Sequence, residues 1–332
     1  MWNGILGRME HSLDDFEWLR NKVEDLAGVE QEIAALYEGG RHKTYDKGLW
    51  AFWKLLIHAY YVDIFTNVAK KYRTHVGYID LLAGPGFNKL KDLDLIIAGS
   101  PLIAEKRPRI TKNGRSKKFD WMILVDKDES NCTSLKRMID ATILCTDCNS
   151  TEVMEAIRKF MQPDDSIYLA FVDPEGIEVS WDTMENLFAL PGDLIINYPW
   201  SGVARVAGSY HKGKDQDMDS NGPLLDTFFG TPAWRDIPPN SIARGLYQFY
   251  LRRIREHREE TVEFSITMMG GSQYKIIIAS RRTRGGSPWL KPVRELKEHL
   301  SRISDTQLER LVQVYKGYQS QLPDYSEESQ YN

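Results

Sequence analysis

The sequence predicts an α/β protein: a doubly wound sheet of seven strands, mostly parallel with a C-terminal antiparallel hairpin, preceded by N-terminal helices. Three observations predict it. Short apolar runs recur along the chain, each ended by an acidic residue or a glycine. Helical patterns lie between those runs, as right-handed β-α-β units require. Close to the C-terminus, two alternating runs flank Gly270-Gly271, which is a hairpin signal.

The elements follow in order. From Leu13 to Tyr37 the chain is charged, with Phe16, Leu19, Val23, Leu26 and Ile33 as an irregular apolar stripe, and Gly39-Gly40 ends this first helix. A second helix is expected from Asp46 to about Lys71. Its aromatics, among them Trp50, Phe52, Trp53, Tyr61 and Phe65, recur every three or four residues, as on a face packed against a core. The parallel strands are Val76 to Leu82, Trp121 to Val125, Ala141 to Cys145, Ile167 to Val172 and a run starting at Asp193 to Ile196. Ser130 to Ile139 and Thr151 to Met161 read as connecting helices. Ser201 to Gly222 is rich in Gly, Asp, Ser and Lys and reads as a mobile loop or lid. A helix from Ser241 to His257 leads to the hairpin strands Val262 to Met268 and Tyr274 to Ser280, and the last helices span about Leu290 to Gln319. The tail from Gln321 is polar and reads as disordered. The expected divisions are an N-terminal helical segment (1–75), a Rossmann-like domain (76–285) with an insertion at about 201–240, and C-terminal helices with the tail (286–332).

Composition narrows the function. Of 332 residues, 42% are hydrophobic, enough for a large core, and the formal net charge of -4 excludes a polyanion binder by bulk charge alone. The chain starts without a basic, then apolar leader, and no run reaches the length of a membrane span, so a cytoplasmic protein with no membrane partner is expected. Cys132, Cys145 and Cys148 are too few for a disulfide framework. Cys145 and Cys148 form a C-x-x-C pair, but no second cysteine or histidine pair follows, so no metal site is expected and the thiols read as ordinary.

The chemistry is carried by Tyr78-Ile79-Asp80-Leu81-Leu82-Ala83-Gly84-Pro85-Gly86, an apolar strand running into a carboxylate and then a Gly-x-Gly turn. Glycines there let the backbone approach a nucleotide-like ligand. A pyrophosphate-binding fingerprint runs G-x-G-x-x-G straight into a helix. Here Asp80 stands ahead of the glycines, where it would repel a pyrophosphate and suit a cationic amino acid group. Later strands also end in polar groups: Asp126, then Thr146-Asp147-Cys148-Asn149, then Asp173-Pro174-Glu175-Gly176. Acidic residues also cap helices. Their recurrence at four successive strand ends is the more specific signal. In this arrangement Asp80, Gly84 and Gly86 would hold the methionine part of S-adenosylmethionine, with Ala83 in the same cofactor-binding loop, Asp126 its ribose, and Asp147 or Asn149 its adenine.

Taken with Gly99-Ser100-Pro101 and Phe171-Val172-Asp173-Pro174-Glu175-Gly176, the Asp80–Gly86 loop resembles the three-Cys-motif partner family from about the second helix to Trp234. The resemblance implies a class I methyltransferase fold, S-adenosylmethionine as cofactor and a companion protein bearing three cysteines; the cysteines of this chain are not that motif. Leu82 stands where methyltransferase loops have their first glycine and where the family commonly has an aromatic, and Glu175 stands where it has an apolar residue.

The acceptor is read from two loops. A cytosine-C5 methyltransferase needs a Pro-Cys nucleophile, and none occurs. Amino-directed nucleic acid methyltransferases use Asp/Asn-Pro-Pro-aromatic, of which Asp173 and Pro174 supply the first half. Asn197-Tyr198-Pro199-Trp200 supplies an amide and two aromatics, so Asp173, Pro174 and Asn197 are the candidate catalytic residues for a flipped RNA or DNA base. Lys106, Arg107, Arg109, Lys112, Arg115, Lys117 and Lys118 form an acid-free basic segment, expected close to the cleft as a phosphate contact and extended by Arg281, Arg282 and Arg284. The competing expectation is a non-catalytic module of the same fold that binds a protein partner or nucleic acid. Oligomeric state is not legible.

Overall fold

The computed structural model describes residues 15–26, 43–91, 95–108, 116–212, 215–267 and 273–320. Helix α1 occupies 15–26; the remainder of the predicted first helix lies outside the described residues, as do Met268, Gly270-Gly271 and the tail from Gln321. Seven strands form the main sheet: β2 (His75–Asp80), β5 (Trp121–Asp126), β6 (Thr142–Cys145), β7 (Ser166–Val172), β8 (Gly192–Tyr198), β9 (Glu260–Thr267) and β10 (Gln273–Ser280). Their order is β6-β5-β2-β7-β8-β10-β9. The first five are parallel, and β10 runs antiparallel to both β8 and β9. This is the strand order of the class I methyltransferase sheet, and all seven predicted strands are present.

Both faces of the sheet are covered, which is why its strands read as near-continuous apolar runs. On one face Tyr78, Leu124, Phe171 and Ile195 pack against α2 (Trp50–Tyr72) and α3 (Ser100–Lys106). On the other, Ile79, Val125, Val172 and Ile196 pack against α5 (Thr151–Phe160), α6 (Trp181–Ala189) and α9 (Ile242–His257). Helix α4 (Glu129–Met138) starts where the Asp128 carboxylate accepts from Ser130 N at 2.8 Å, and α6 where Ser180 Oγ accepts from Thr183 N at 3.2 Å. The C-terminal helices α10 (Leu290–Arg302) and α11 (Asp305–Ser320) bring Leu290, Val293, Leu311 and Tyr315 onto the α2 face.

Three expectations are corrected. Ser201 to Gly222 is not an open loop: it belongs mostly to α7 (Trp200–His211) and α8 (Asp215–Phe229). Val203 and Ala207, one turn apart, bury α7, and Leu225, Phe228 and Phe229 anchor α8, so a sparse apolar stripe outweighs the polar composition. The second helix starts at Trp50, not Asp46, because Thr44–Lys47 is a strand, β1. It joins β3 (Phe87–Leu90) and β4 (Leu95–Ala98) in a second sheet of order β1-β3-β4, with β1 parallel to β3. Of these four-residue strands, β1 and β3 mix polar residues without clean alternation and β4 is apolar throughout, so none shows a strand period. Finally, Cys132 on α4 and Cys145 at the end of β6 form a disulfide across a Cα separation of 6.0 Å, inside the bridging range, and Cys148 is the free thiol.

Candidate active site

The strand order reverses between β2 and β7, and a cleft opens at the carboxyl ends of the strands there, the position where open α/β sheets bind ligands. After β2 the chain turns through Gly84 (φ 65°) and Gly86 (φ 94°), conformations that favour glycine. The turn is tied down by backbone bonds: Ala83 N donates to Val125 O at 2.8 Å, and Gly99 N donates to Gly86 O at 2.7 Å. A side chain at Gly99 would place Cβ 2.9 Å from that Gly86 oxygen, so the loop and the start of α3 fit only as glycine on glycine.

Asp80 is fully buried behind the loop. Its carboxylate accepts from the Tyr78 hydroxyl at 3.1 Å and from Leu82 N at 3.4 Å. Burial pushes its pKa up to about 7; the hydrogen bond from Ser100 opposes this and the charge of Asp173 adds to it. Asp126 accepts from Gly84 N and from Asp128 N, each at 2.8 Å, so it both braces the loop and faces the cleft with lone pairs remaining. Asp147 lines the cleft. Asn149 does not share its role: its amide donates to Glu178 O and accepts from Ser180 N and Thr183 Oγ1, each at 2.8 Å, tying the β6 loop to the start of α6.

The end of β7 is built differently. Asp173 Oδ2 accepts from Lys54 Nζ, which is buried on α2, and Asp173 Oδ1 accepts from Asn197 Nδ2 at 2.9 Å. Glu175 accepts from Lys47 on β1, an interaction that lowers the glutamate pKa. Burial lowers the Lys54 pKa, although Asp173 opposes it. The Lys54 ammonium lies 4.3 Å from the centre of the Trp50 ring, which stacks on Tyr274 of β10 at 4.3 Å. Pro174 is buried. Tyr45, also on β1, lines the cleft over the glycine turn, with its ring 3.6 Å from where a Gly84 Cβ would stand, and its hydroxyl accepts from Asn131 Nδ2 at 2.5 Å.

The structure therefore brings Asp80, Ala83, Gly84, Gly86, Asp126, Asp147, Asp173 and Asn197 to one end of the sheet. The sequence reading missed Tyr45, Lys47 and Lys54. Isolated residues whose partners lie far along the chain, 128 positions for Lys47 and 119 for Lys54, leave no motif; only the clustering of Lys54 among aromatics at the start of a helix was there to be noticed.

The basic segment is placed elsewhere. Its described part that precedes β5 ends where Asp120 N bonds Val76 O at 2.7 Å, which sets Ser116 to Lys118 at the edge formed by the amino ends of the strands, opposite the cleft. Arg107 is a further correction: it is buried, its guanidinium held by Asp63 Oδ2 at 2.8 Å and by the Asp25 carbonyl, so its donors serve the fold. Lys106 and Lys118 both face Glu105, at 3.9 and 3.1 Å. Lys117 is half-buried, and Arg109, Lys112 and Arg115 lie outside the described residues. Because β10 is antiparallel, Arg281 and Arg282 reach this same edge.

Fold and cleft together define a protein of the class I methyltransferase architecture. No family model matches the sequence. No curated protein matches it. Among solved structures, the chain is similar to protein LPL1258 from Legionella pneumophila str. Philadelphia 1, of family DUF519, at 14% identity and a TM-score of 0.45, over 75% of this chain and 91% of that one. It is also similar to the plantazolicin methyltransferase BpumL in complex with SAH, at 13% identity and a TM-score of 0.32, over 82% of this chain and 100% of that one. Among the described residues no helix is long and apolar enough to cross a membrane, and no group of side chains could hold a metal ion.

Proposed function

We propose that this protein is an S-adenosylmethionine-dependent methyltransferase that acts on a base of RNA or DNA. One observation carries the cofactor assignment: the glycine turn and the carboxylates of Asp126, Asp147 and Asp173 converge on a single cleft at the switch point of the sheet. The residues fit the group. Gly84 and Gly86 leave the backbone open, Asp126 has lone pairs for two ribose hydroxyls, and Asp80, buried behind the loop, would take the charged form opposite a bound amino group. Asp147 takes the adenine side. The cofactor, when bound, supplies a methyl group activated by its attachment to a positively charged sulfur. The chain supplies position and a water-poor setting for the acceptor.

The nucleic acid part of the reading is supported by Lys47 and Lys127 around the cleft and by the aromatic pairs Trp50–Tyr274 and Trp200–Tyr247. A companion three-Cys-motif protein and residence in the cytoplasm belong to the same proposal. The occupation of both Asp173 and Glu175 by lysines of the same chain favours a second reading, a non-catalytic module that keeps the cofactor site.

Calorimetric titration with S-adenosylmethionine, S-adenosylhomocysteine and NAD tests the assignment. Micromolar binding of the first two with no heat from NAD is expected. No binding of either, or binding of NAD alone, overturns it.

A further inference from the structure

The edge of the sheet opposite the cleft carries a groove of about 750 Å³, between the end of α2, the first residues of β7 and β8, and the loop after β10. Its floor is apolar, with Phe65 and Ala69 of α2, Ile167 of β7 and Trp289 among the lining residues. Its rim is cationic: Lys71, Arg73, Arg281 and Arg282. Arg282 is balanced by Glu260 at 3.7 Å. Arg281 is held by the carbonyls of Phe188 and Leu190, at 3.0 and 3.1 Å, and keeps its charge. Lys71 and Arg73 make no ion pair among the described residues. The one acid of the lining, Asp193, is 7% exposed and accepts from the Tyr61 hydroxyl at 2.7 Å, so it serves the core. At this rim Tyr72 ends α2 with 70% of its surface exposed, the only exposed Phe, Tyr or Trp among the described residues. Lys71 Nζ lies 5.2 Å from the centre of its ring. Phe119 stacks on Phe65 at 6.4 Å, which sets Lys117 and Lys118 along the same edge.

We infer that this groove docks a single-stranded segment of nucleic acid, with a base stacked on Tyr72 and phosphates on Lys71, Arg73 and Arg281. It is a site separate from the cleft: Lys54 at the cleft and Tyr72 at the groove stand on the same helix, about 27 Å apart at a rise of ~1.5 Å per residue. Helix C-termini attract lysines for their own sake. Lys70 fits that description, bound to Asp120 at 2.6 Å; Lys71 and Arg73, without such a partner, do not. The combination of groups selects the occupant. A duplex keeps its bases stacked inside and would leave the ring and the apolar floor unused. An acidic peptide would meet the cations and leave the ring bare. A single strand supplies both at once, since every unpaired base has a flat apolar face and is joined to a phosphate. No part of the cofactor cleft enters this inference, so it stands apart from the methyltransferase reading.

The probes are fluorescein-labelled oligouridine and oligothymidine strands of about twelve nucleotides, a duplex of the same length and a polyglutamate peptide, measured by fluorescence anisotropy without S-adenosylmethionine. The wild-type chain is expected to bind the strands more tightly than the duplex or the peptide. Tyr72→Ala is expected to weaken strand binding about tenfold, and Tyr72→Phe to retain it, because the phenyl ring still stacks. Lys71→Gln/Arg73→Gln is expected to flatten the dependence of log affinity on log salt by about 1.4, at ~0.7 per phosphate contact in a single strand. A strand carrying one iodouracil, irradiated in the complex, is expected to crosslink to Tyr72. The inference is overturned if the wild type binds neither strand, if the peptide or the duplex binds as tightly, or if Tyr72→Ala binds the strands as the wild type does. A crosslink mapped to the cleft instead of Tyr72 also overturns it. Failure to bind S-adenosylmethionine would remove the methyltransferase reading and leave this one intact.

Discussion

The two halves of the cleft are built by different means. On the side proposed to hold the cofactor, at the ends of β5 and β6, carboxylates are satisfied by main-chain N–H groups a few residues away or in the neighbouring loop: Asp126 by Gly84 and Asp128, Asp147 by Asn149. On the side proposed to hold the acceptor, after β7, they are satisfied by long side chains from β1 and α2, Lys47 and Lys54. The first kind of site is a property of a local turn. The second exists only when β1 and α2 have docked on the sheet. The lesson is that the cofactor half tolerates change outside its loops, whereas the acceptor half depends on pairs of distant charges.

The largest effect is expected where that dependence is buried. Asp173→Ala leaves the Lys54 ammonium buried without its counter-charge, and a loss of about 3–5 kcal/mol in urea unfolding at neutral pH is expected. The double change Lys54→Met/Asp173→Leu is expected to recover most of it. A loss below about 1 kcal/mol for Asp173→Ala alone would mean that the two halves do not differ in the way described.

The cofactor half is next, through Asp80. Its pKa is raised from 3.8 to about 7, so the folded chain holds a proton that the unfolded chain releases. The stability this confers is fully present below the unfolded value and is lost as pH rises to the folded value, on the order of 4 kcal/mol between about pH 4 and pH 7. Asp80→Asn is expected to flatten that slope in a series of thermal or urea melts. A variant with the wild-type slope would remove Asp80 as its source. The smallest effect is expected at Lys47→Gln, whose partner Glu175 has a side chain 72% exposed: under about 1 kcal/mol by the same melts. A larger loss would mark β1 as a structural clamp on the acceptor half.

The same division explains what was legible in the sequence. The seven strands were: burial on both faces makes β2, β5, β7 and β8 apolar runs, and the hairpin strands show themselves by alternation. The placement of Asp80, Gly84, Gly86 and Asp126 at the carboxyl ends of the strands was also legible, because each ends a strand or lies in the turn that follows one. The tie that Asn149 makes to α6 was not legible, because nothing local distinguishes a polar residue facing the cleft from one that braces the loop. Arg107 was misassigned because a run of like charges does not show that one member has Asp63 beneath it. Lys54 was invisible because its meaning depends on a residue 119 positions away.

The position of β10 has a consequence for how the chain is completed. Residue Asn197 is in register with Ile276, and β8 has β7 on one side and β10 on the other. Strands β2, β5, β6 and β7 are all in hand once Val172 has been made. The strand that carries Asn197 keeps one bare edge until synthesis has passed Ser280, with α7, α8 and α9 made in between. During translation the cofactor half can gain its backbone partners early, while the acceptor half waits for the last strand of the sheet to arrive. A chain stopped after His257 would carry the glycine turn and its carboxylates together with an unprotected strand edge, the part of a nascent sheet most apt to pair with another chain.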